Sequence, residues 1–81
     1  MDATPTLARV IALLEDATQT PPGQIGGDTA LEDFSGWDSL GMVAFITLVR
    51  SSYGVSLRTN DLLRCPTPDA LARLIQDRAS A

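Results

Sequence analysis

Phe34-Ser35-Gly36-Trp37-Asp38-Ser39-Leu40-Gly41 is the stretch on which the reading of this chain turns. A turn-forming, acidic run ends at Asp38, Ser39 follows, and from Leu40 to Val49 almost every residue is apolar. Asp and Ser side-chain oxygens accept the unpaired N–H groups of a first helical turn, so the chain should enter a helix here. Ser39 is then expected at the mouth of that helix, at the junction with a loop, with its hydroxyl near solvent. A residue in that place can be reached and modified by another protein.

Downstream, the helix should span about Ser39 to Tyr53. Val43, Ile46 and Val49, with Phe45, Leu48 and Tyr53, cover more than one of its faces. Such a helix is either deeply buried or keeps one face for a partner. Arg50 is its one charged residue. Gly41 costs about 1 kcal/mol relative to alanine inside a helix. It is either tolerated near a frayed end or lets a partner or prosthetic group come close. Gly54 should close the helix as a left-handed cap.

Upstream, a long connection from Thr18 to Trp37 holds Pro21, Pro22, Gly23, Gly26, Gly27 and Gly36. A loop this long in a small domain is functional or pinned down. Ile25, Leu31, Phe34 and Trp37 are the natural pins, and Trp37 is expected to cap the core rather than touch a ligand. Asp28-Thr29-Ala30-Leu31 is the candidate for a short helical turn. Before the loop, Thr4 is expected as an N-cap with Pro5 at the first helical position. Leu7, Val10, Ile11, Leu14 and Ala17 then give one apolar stripe.

Beyond Gly54, Ser56-Leu57-Arg58 reads as an extended link, and Thr59 as the cap of a short helix over Asp61, Leu62 and Leu63. Cys65-Pro66 breaks it. Cys65 reads as a small residue at the core edge, with no base beside it to make a reactive thiol. Thr67-Pro68-Asp69 repeats the opening device and starts a last helix with Leu71, Leu74, Ile75 and Arg78 at helical spacing. Ala79 to Ala81 are expected to fray.

The 81 residues make a single domain, 1–81, with a core over about 6–78. One cysteine excludes an internal disulfide, no Cys/His cluster offers a metal site, and 44% hydrophobic residues must build the core by packing alone. No apolar run suits a membrane span or a secretory leader, which points to the cytoplasm. A net charge of −4 argues against nucleic acid. Residues 1–38 carry seven acids against Arg9, while residues 39–81 carry three acids against five arginines. The chain has no histidine and no lysine. Ser-His-Asp and Cys-His mechanisms, a lysine Schiff base and a P-loop lysine are thereby excluded, and no enzyme is expected.

Three motifs together give the chain a family likeness. Asp38-Ser39-Leu40 resembles the phosphopantetheine attachment motif of acyl carrier and peptidyl carrier proteins, set at the start of the second helix after a long acidic loop. Tyr53-Gly54-Val55-Ser56-Leu57 resembles the Phe-Gly-Val-x-Leu that closes that helix, and Cys65-Pro66-Thr67-Pro68-Asp69-Ala70-Leu71-Ala72 resembles the opening of the family's last helix. The likeness covers about residues 6 to 78. Asp-Ser-Leu alone is a weak tripeptide; in this register with the other two motifs it is specific.

The resemblance implies an all-α bundle of three main helices and one short helix. It implies that a phosphopantetheinyl transferase moves 4'-phosphopantetheine from coenzyme A onto Ser39, and that substrate is carried as a thioester on the arm's thiol. Further implied partners are an acyl- or aminoacyl-loading enzyme and downstream synthases or transferases, meeting a monomer. Asp38 matches the residue that helps the transferase dock, and Leu40 the exposed apolar contact beside it. Gly41, Ala44 and Thr47 complete the expected partner face. The sequence departs from carriers of primary fatty-acid synthesis, whose second helix is rich in acids. Leu40, Ala44, Thr47 and Arg50 would point outward here, so docking should be apolar and only weakly salt-dependent. That resembles carriers of nonribosomal-peptide and polyketide pathways, and the length suggests a discrete protein acting in trans.

Two other classes compete. A helical adaptor would use Ser39 only as a cap and its apolar second helix as a binding face. A serine hydrolase fails by inspection, since Trp37 stands where Gly-x-Ser-x-Gly needs its first glycine and no histidine exists.

Overall fold

The computed structural model describes residues 5–80. It holds α1 (Leu7–Thr18), a 3-10 turn (Leu31–Asp33), α2 (Ser39–Tyr53), α3 (Thr59–Leu63) and α4 (Pro68–Ser80). No strand occurs among the described residues. The described residues form an all-helical bundle of three main helices and one short one. α1 packs against both α2 and α4, and α3 packs on α2.

Each helix boundary has a local cause. α1 starts two residues later than the Thr4-Pro5 pattern predicts. Thr6 is its cap: the Arg9 N–H donates to Thr6 Oγ1 at 3.3 Å, and Val10 N–H to the Thr6 carbonyl at 2.9 Å. Pro5, itself buried, stays outside the helix, and its carbonyl accepts from Gln76 Nε2 of α4 at 3.0 Å. Thr4 lies outside the described residues. α2 keeps its expected bounds, with Asp38 as cap and Gly54 (φ 68°) as the left-handed stop. α3 is not capped by Thr59, which is its first residue. Asp61 Oδ2 reaches back to accept the Arg58 N–H at 2.9 Å and closes the first turn from inside. α4 opens as expected, with Ala70 N–H donating to Thr67 Oγ1 at 3.3 Å. Ala79 and Ser80 continue α4 where fraying was expected, and Ala81 lies outside the described residues.

The core is wholly apolar among the described residues, with no buried side-chain polar atom left unpartnered. Val10 and Leu14 of α1, Phe45 and Val49 of α2, Leu62 of α3, and Leu71 and Ile75 of α4 are completely enclosed. Burial of side chains of this size gives roughly 1.5–3 kcal/mol each before the cost of ordering the chain. The long loop adds Ile25, Leu31 and Trp37 to the same core, while Phe34 is half-buried against it. Its backbone is tied too: Leu31 N–H donates to the Pro66 carbonyl at 2.9 Å, and Asp69 N–H to that of Gly27 at 3.0 Å. The Leu31 tie explains why the turn forms over Leu31–Asp33 and not over Asp28–Leu31. Leu31 must enter the core, while Thr29 Oγ1 is occupied by the Gly26 N–H at 2.8 Å.

Candidate functional site

The loop and α2 meet at Ser39. Asp38 is in extended conformation (φ −110°, ψ −170°), and its Oδ1 accepts the Gly41 N–H at 3.0 Å. Its carbonyl takes the Met42 N–H at 2.8 Å, the first intrahelical bond. Ser39 is therefore the first helical residue and not the cap. It is exposed, and among the described residues no hydrogen bond engages its hydroxyl. The backbone N–H groups of Ser39 and Leu40 precede the first intrahelical bond, and at a helix N-terminus such groups favour an anion.

Two supports hold this corner. Trp37 is only 9% exposed and meets Phe45 edge-on, ring centroids 5.6 Å apart and planes at 73°. It caps the core, as expected. Beneath the corner Gly41 is buried, and a Cβ there would collide with the Gly36 carbonyl oxygen. The close approach made possible by Gly41 is thus that of the chain's own loop. It is not the frayed-end tolerance weighed from the sequence.

Around Ser39 the outward side of α2 shows Leu40 (82% exposed), Val43 (57%), Thr47 and Arg50, with Ala44 half-buried. The Thr47 hydroxyl donates to the Val43 carbonyl at 3.0 Å, so its donor is spent within the helix. Leu63 of α3, 66% exposed, is a third outward apolar residue. The sequence reading did not include Val43 or Leu63 in the partner face. Both carried a signal: Val43 follows Leu40 by one turn, and Leu63 adjoins Leu62, which a five-residue helix cannot bury together with its neighbour.

Two recesses flank the corner. One, of about 210 Å³, is lined by Leu31, Glu32, Trp37, Met42, Leu62, Leu63, Cys65 and Pro66. The other, of about 370 Å³, lies between the end of α1 and the start of α2, with Thr18, Gln19, Gly36, Asp38 and Leu40 among its walls. Glu32, Asp33 and Asp38 are exposed acids in the same part of the chain. Burial, and then the Asp61 carboxylate, push the Cys65 thiol above its ordinary range. At 8% exposure it is the core-edge residue expected, not a thiolate nucleophile. No cluster of potential metal ligands occurs among the described residues, and none of their helices is long and apolar enough to cross a membrane.

Residues 8–75 fit the model of the phosphopantetheine attachment site family, and the chain belongs to that family of carrier proteins. No curated protein and no solved structure matched it. Its prosthetic group is accordingly 4'-phosphopantetheine, and the family's domains carry rather than catalyse. The corner fits that group: an exposed hydroxyl with no folding duty beside two N–H groups suited to a phosphate.

Proposed function

We propose that Ser39 is the attachment residue and that the protein carries acyl or aminoacyl intermediates in polyketide or nonribosomal peptide biosynthesis. The observation that carries the first half is the exposed Ser39 hydroxyl at a helix entrance that Asp38 caps. In the adaptor reading Ser39 is a cap; the hydrogen bond to Asp38 removes that role. The pathway class is supported by the outward side of α2, where Leu40, Val43 and Thr47 stand and no acid does.

In this reading a phosphopantetheinyl transferase supplies all the activation. Ser39 Oγ displaces the adenosine bisphosphate of coenzyme A from the phosphorus that bears pantetheine. One P–O bond forms, one breaks, and the hydroxyl proton passes to a base of the transferase, because the carrier has no histidine to receive it. The group, once bound, supplies a thiol on a flexible tether that holds cargo as a thioester. The chain's own residues place that tether: Asp38 fixes the helix entrance, and the Trp37–Phe45 contact anchors the loop before it. Asp38, Leu40, Val43 and Thr47, with half-buried Ala44 at the edge, form the docking face for the transferase, the loading enzyme and the downstream synthase or transferase. Gly41 contributes indirectly, by letting the loop close.

Coexpression with a broad-specificity transferase is expected to raise the intact mass by one phosphopantetheine. Ser39→Ala should abolish that gain and leave helical content and melting temperature in place. A gain that survives the substitution, or no gain in the unaltered chain with several transferases, would overturn the assignment. The mass of the cargo on protein isolated from its own cells tests the pathway class; a long saturated fatty acyl chain would point instead to a fatty-acid or cell-envelope carrier.

A further inference from the structure

Arg78 lies in the last turns of α4, yet its guanidinium reaches back across the chain to three acceptors. It donates to the Ser56 carbonyl at 3.1 Å, to Asp61 Oδ2 at 3.0 Å and to Asp61 Oδ1 at 2.8 Å. Asp61 Oδ2 is the same oxygen that accepts the Arg58 N–H and closes the first turn of α3. One carboxylate therefore both starts α3 and ties it to α4. That tie matters because α3 has only five residues, far below the length at which a helix holds itself. Leu62 is buried in the core and, with Leu63 and Cys65, lines the recess beside Trp37 and Met42. Met42 lies one turn from Ser39, so this recess adjoins the proposed attachment point.

We propose that Arg78 is a positioning residue: from α4 it holds α3, and through α3 the Leu63–Cys65 wall of the recess, in the geometry that a docking partner meets. The hold on α3 stands on the hydrogen bonds alone; only its consequence for docking rests on the carrier reading. A merely stabilising ion pair would protect the whole bundle evenly. A positioning pair instead governs an opening of α3 and its wall that leaves α1 and α2 folded, so α3 exchanges through it while the core stays protected.

Cys65 is the one cysteine in the sequence and a built-in reporter. Its reaction with N-ethylmaleimide needs both exposure and thiolate. The Arg78 charge favours the thiolate, so removing it slows the chemistry, and any acceleration reports exposure. Arg78→Gln keeps a long, helix-favouring side chain without the charge. On the full chain, alkylation followed by mass analysis of the Cys65 peptide, and hydrogen exchange of the α3 amides, should both run about five-fold faster than in the unaltered protein. Core amides of α1 and α2 should stay the more protected in both proteins. Asp61→Asn should accelerate α3 exchange similarly, and the double variant should add little to either single one. Unchanged α3 exchange and alkylation in Arg78→Gln, α3 amides that exchange no faster than the α1 and α2 core, or full additivity in the double variant would each overturn the proposal. The mass gain at Ser39, followed on the same variants, keeps the two readings apart. A chain that takes the arm but shows no α3 opening refutes only the positioning role.

Discussion

Replacing Gly41 with alanine pits two effects of opposite sign against each other. Judged as a helix residue, Gly41 is a defect, and alanine should stabilise α2 by up to about 1 kcal/mol. Judged by its surroundings, it is a necessity. The added methyl would strike the Gly36 carbonyl oxygen and touch Thr18 Cγ2 at 3.5 Å. The struck atom is backbone and cannot swing aside as a flexible side chain would. The loop that carries it is held on both sides, by Trp37 N–H to the Phe34 carbonyl at 3.0 Å and by the buried Trp37 ring. Overpacking of this kind costs about 1–3 kcal/mol. Taking the propensity gain into account, we expect a net loss of up to about 2 kcal/mol, or a fall in melting temperature of up to about 15 °C for a domain of this size. Thermal and urea unfolding followed by circular dichroism measure it. Because the loop shift begins two residues before Asp38, the transferase should also modify Gly41→Ala more slowly at temperatures where it is fully folded. A stabilised variant with unchanged modification kinetics would refute the packing argument and return Gly41 to a tolerated defect.

The remaining predictions concern charge and capping. Asp38→Ala should cost about 1 kcal/mol, while Asp38→Asn, which keeps an oxygen for the Gly41 N–H, should melt close to the unaltered chain; equal losses would show that the cap does not act through that bond. The Arg78 guanidinium, by direct hydrogen bonding, and then the Arg58 N–H hold the Asp61 carboxyl below its ordinary value of 3.8. A lowered folded-state value contributes stability above the unfolded value and loses it as pH falls through the folded one. The stability gap between the unaltered chain and Asp61→Asn should therefore be constant from neutral pH down to about 4 and close below it. Arg78 is 40% exposed, so the gap should be no more than about 1 kcal/mol. Finally, a several-fold rise in salt should change the transferase KM by less than about two-fold, because exposed charges are screened over about 10 Å while apolar contacts are not; a steep dependence would move the docking face toward Glu32 and Asp33.

Much of this fold was legible because its signals are local. Asp38 before an apolar run, Gly54 after one, and Thr67-Pro68 are instructions that a few neighbouring residues carry out by themselves. The loop pins were legible for a related reason: Ile25, Leu31 and Trp37 have nowhere else to go in water. What escaped the sequence depends on partners distant along the chain. Thr4 and Thr6 flank the same proline, and the choice of Thr6 as cap goes with a Gln76 bond to Pro5 that spans 71 positions. Asp61 displaces Thr59 as the closing residue of the α3 turn, and Arg78 of α4 engages both of its oxygens. The Gly36–Gly41 contact leaves no periodicity to read, since both residues matter for what they lack. Val43 and Leu63 show why apolar character alone does not locate the core: on an all-apolar helix, only the packing of its neighbours decides which side stays wet.

The order Asp-Ser at positions 38 and 39 has a consequence that neither residue type has alone. The first three N–H groups of α2 belong to Ser39, Leu40 and Gly41, and a capping side chain ordinarily takes one of them. Asp38 takes the third, at Gly41, and its carbonyl starts the helical ladder at Met42. The first two are left without an intrahelical acceptor, next to a hydroxyl that folding does not use. A helix capped by the serine itself would commit that hydroxyl to the backbone, and a transferase would have to break the cap before it could reach the oxygen. By giving the capping work to the residue before it, the chain keeps the serine free and leaves N–H donors beside it for the phosphate that would follow. The acidic cap is near enough to repel that phosphate, yet its charge is partly engaged by the Gly41 N–H, and the end of the helix dipole favours both anions. With Ser39 as the proposed attachment residue, stability and modification draw on adjacent residues without competing for the same atoms.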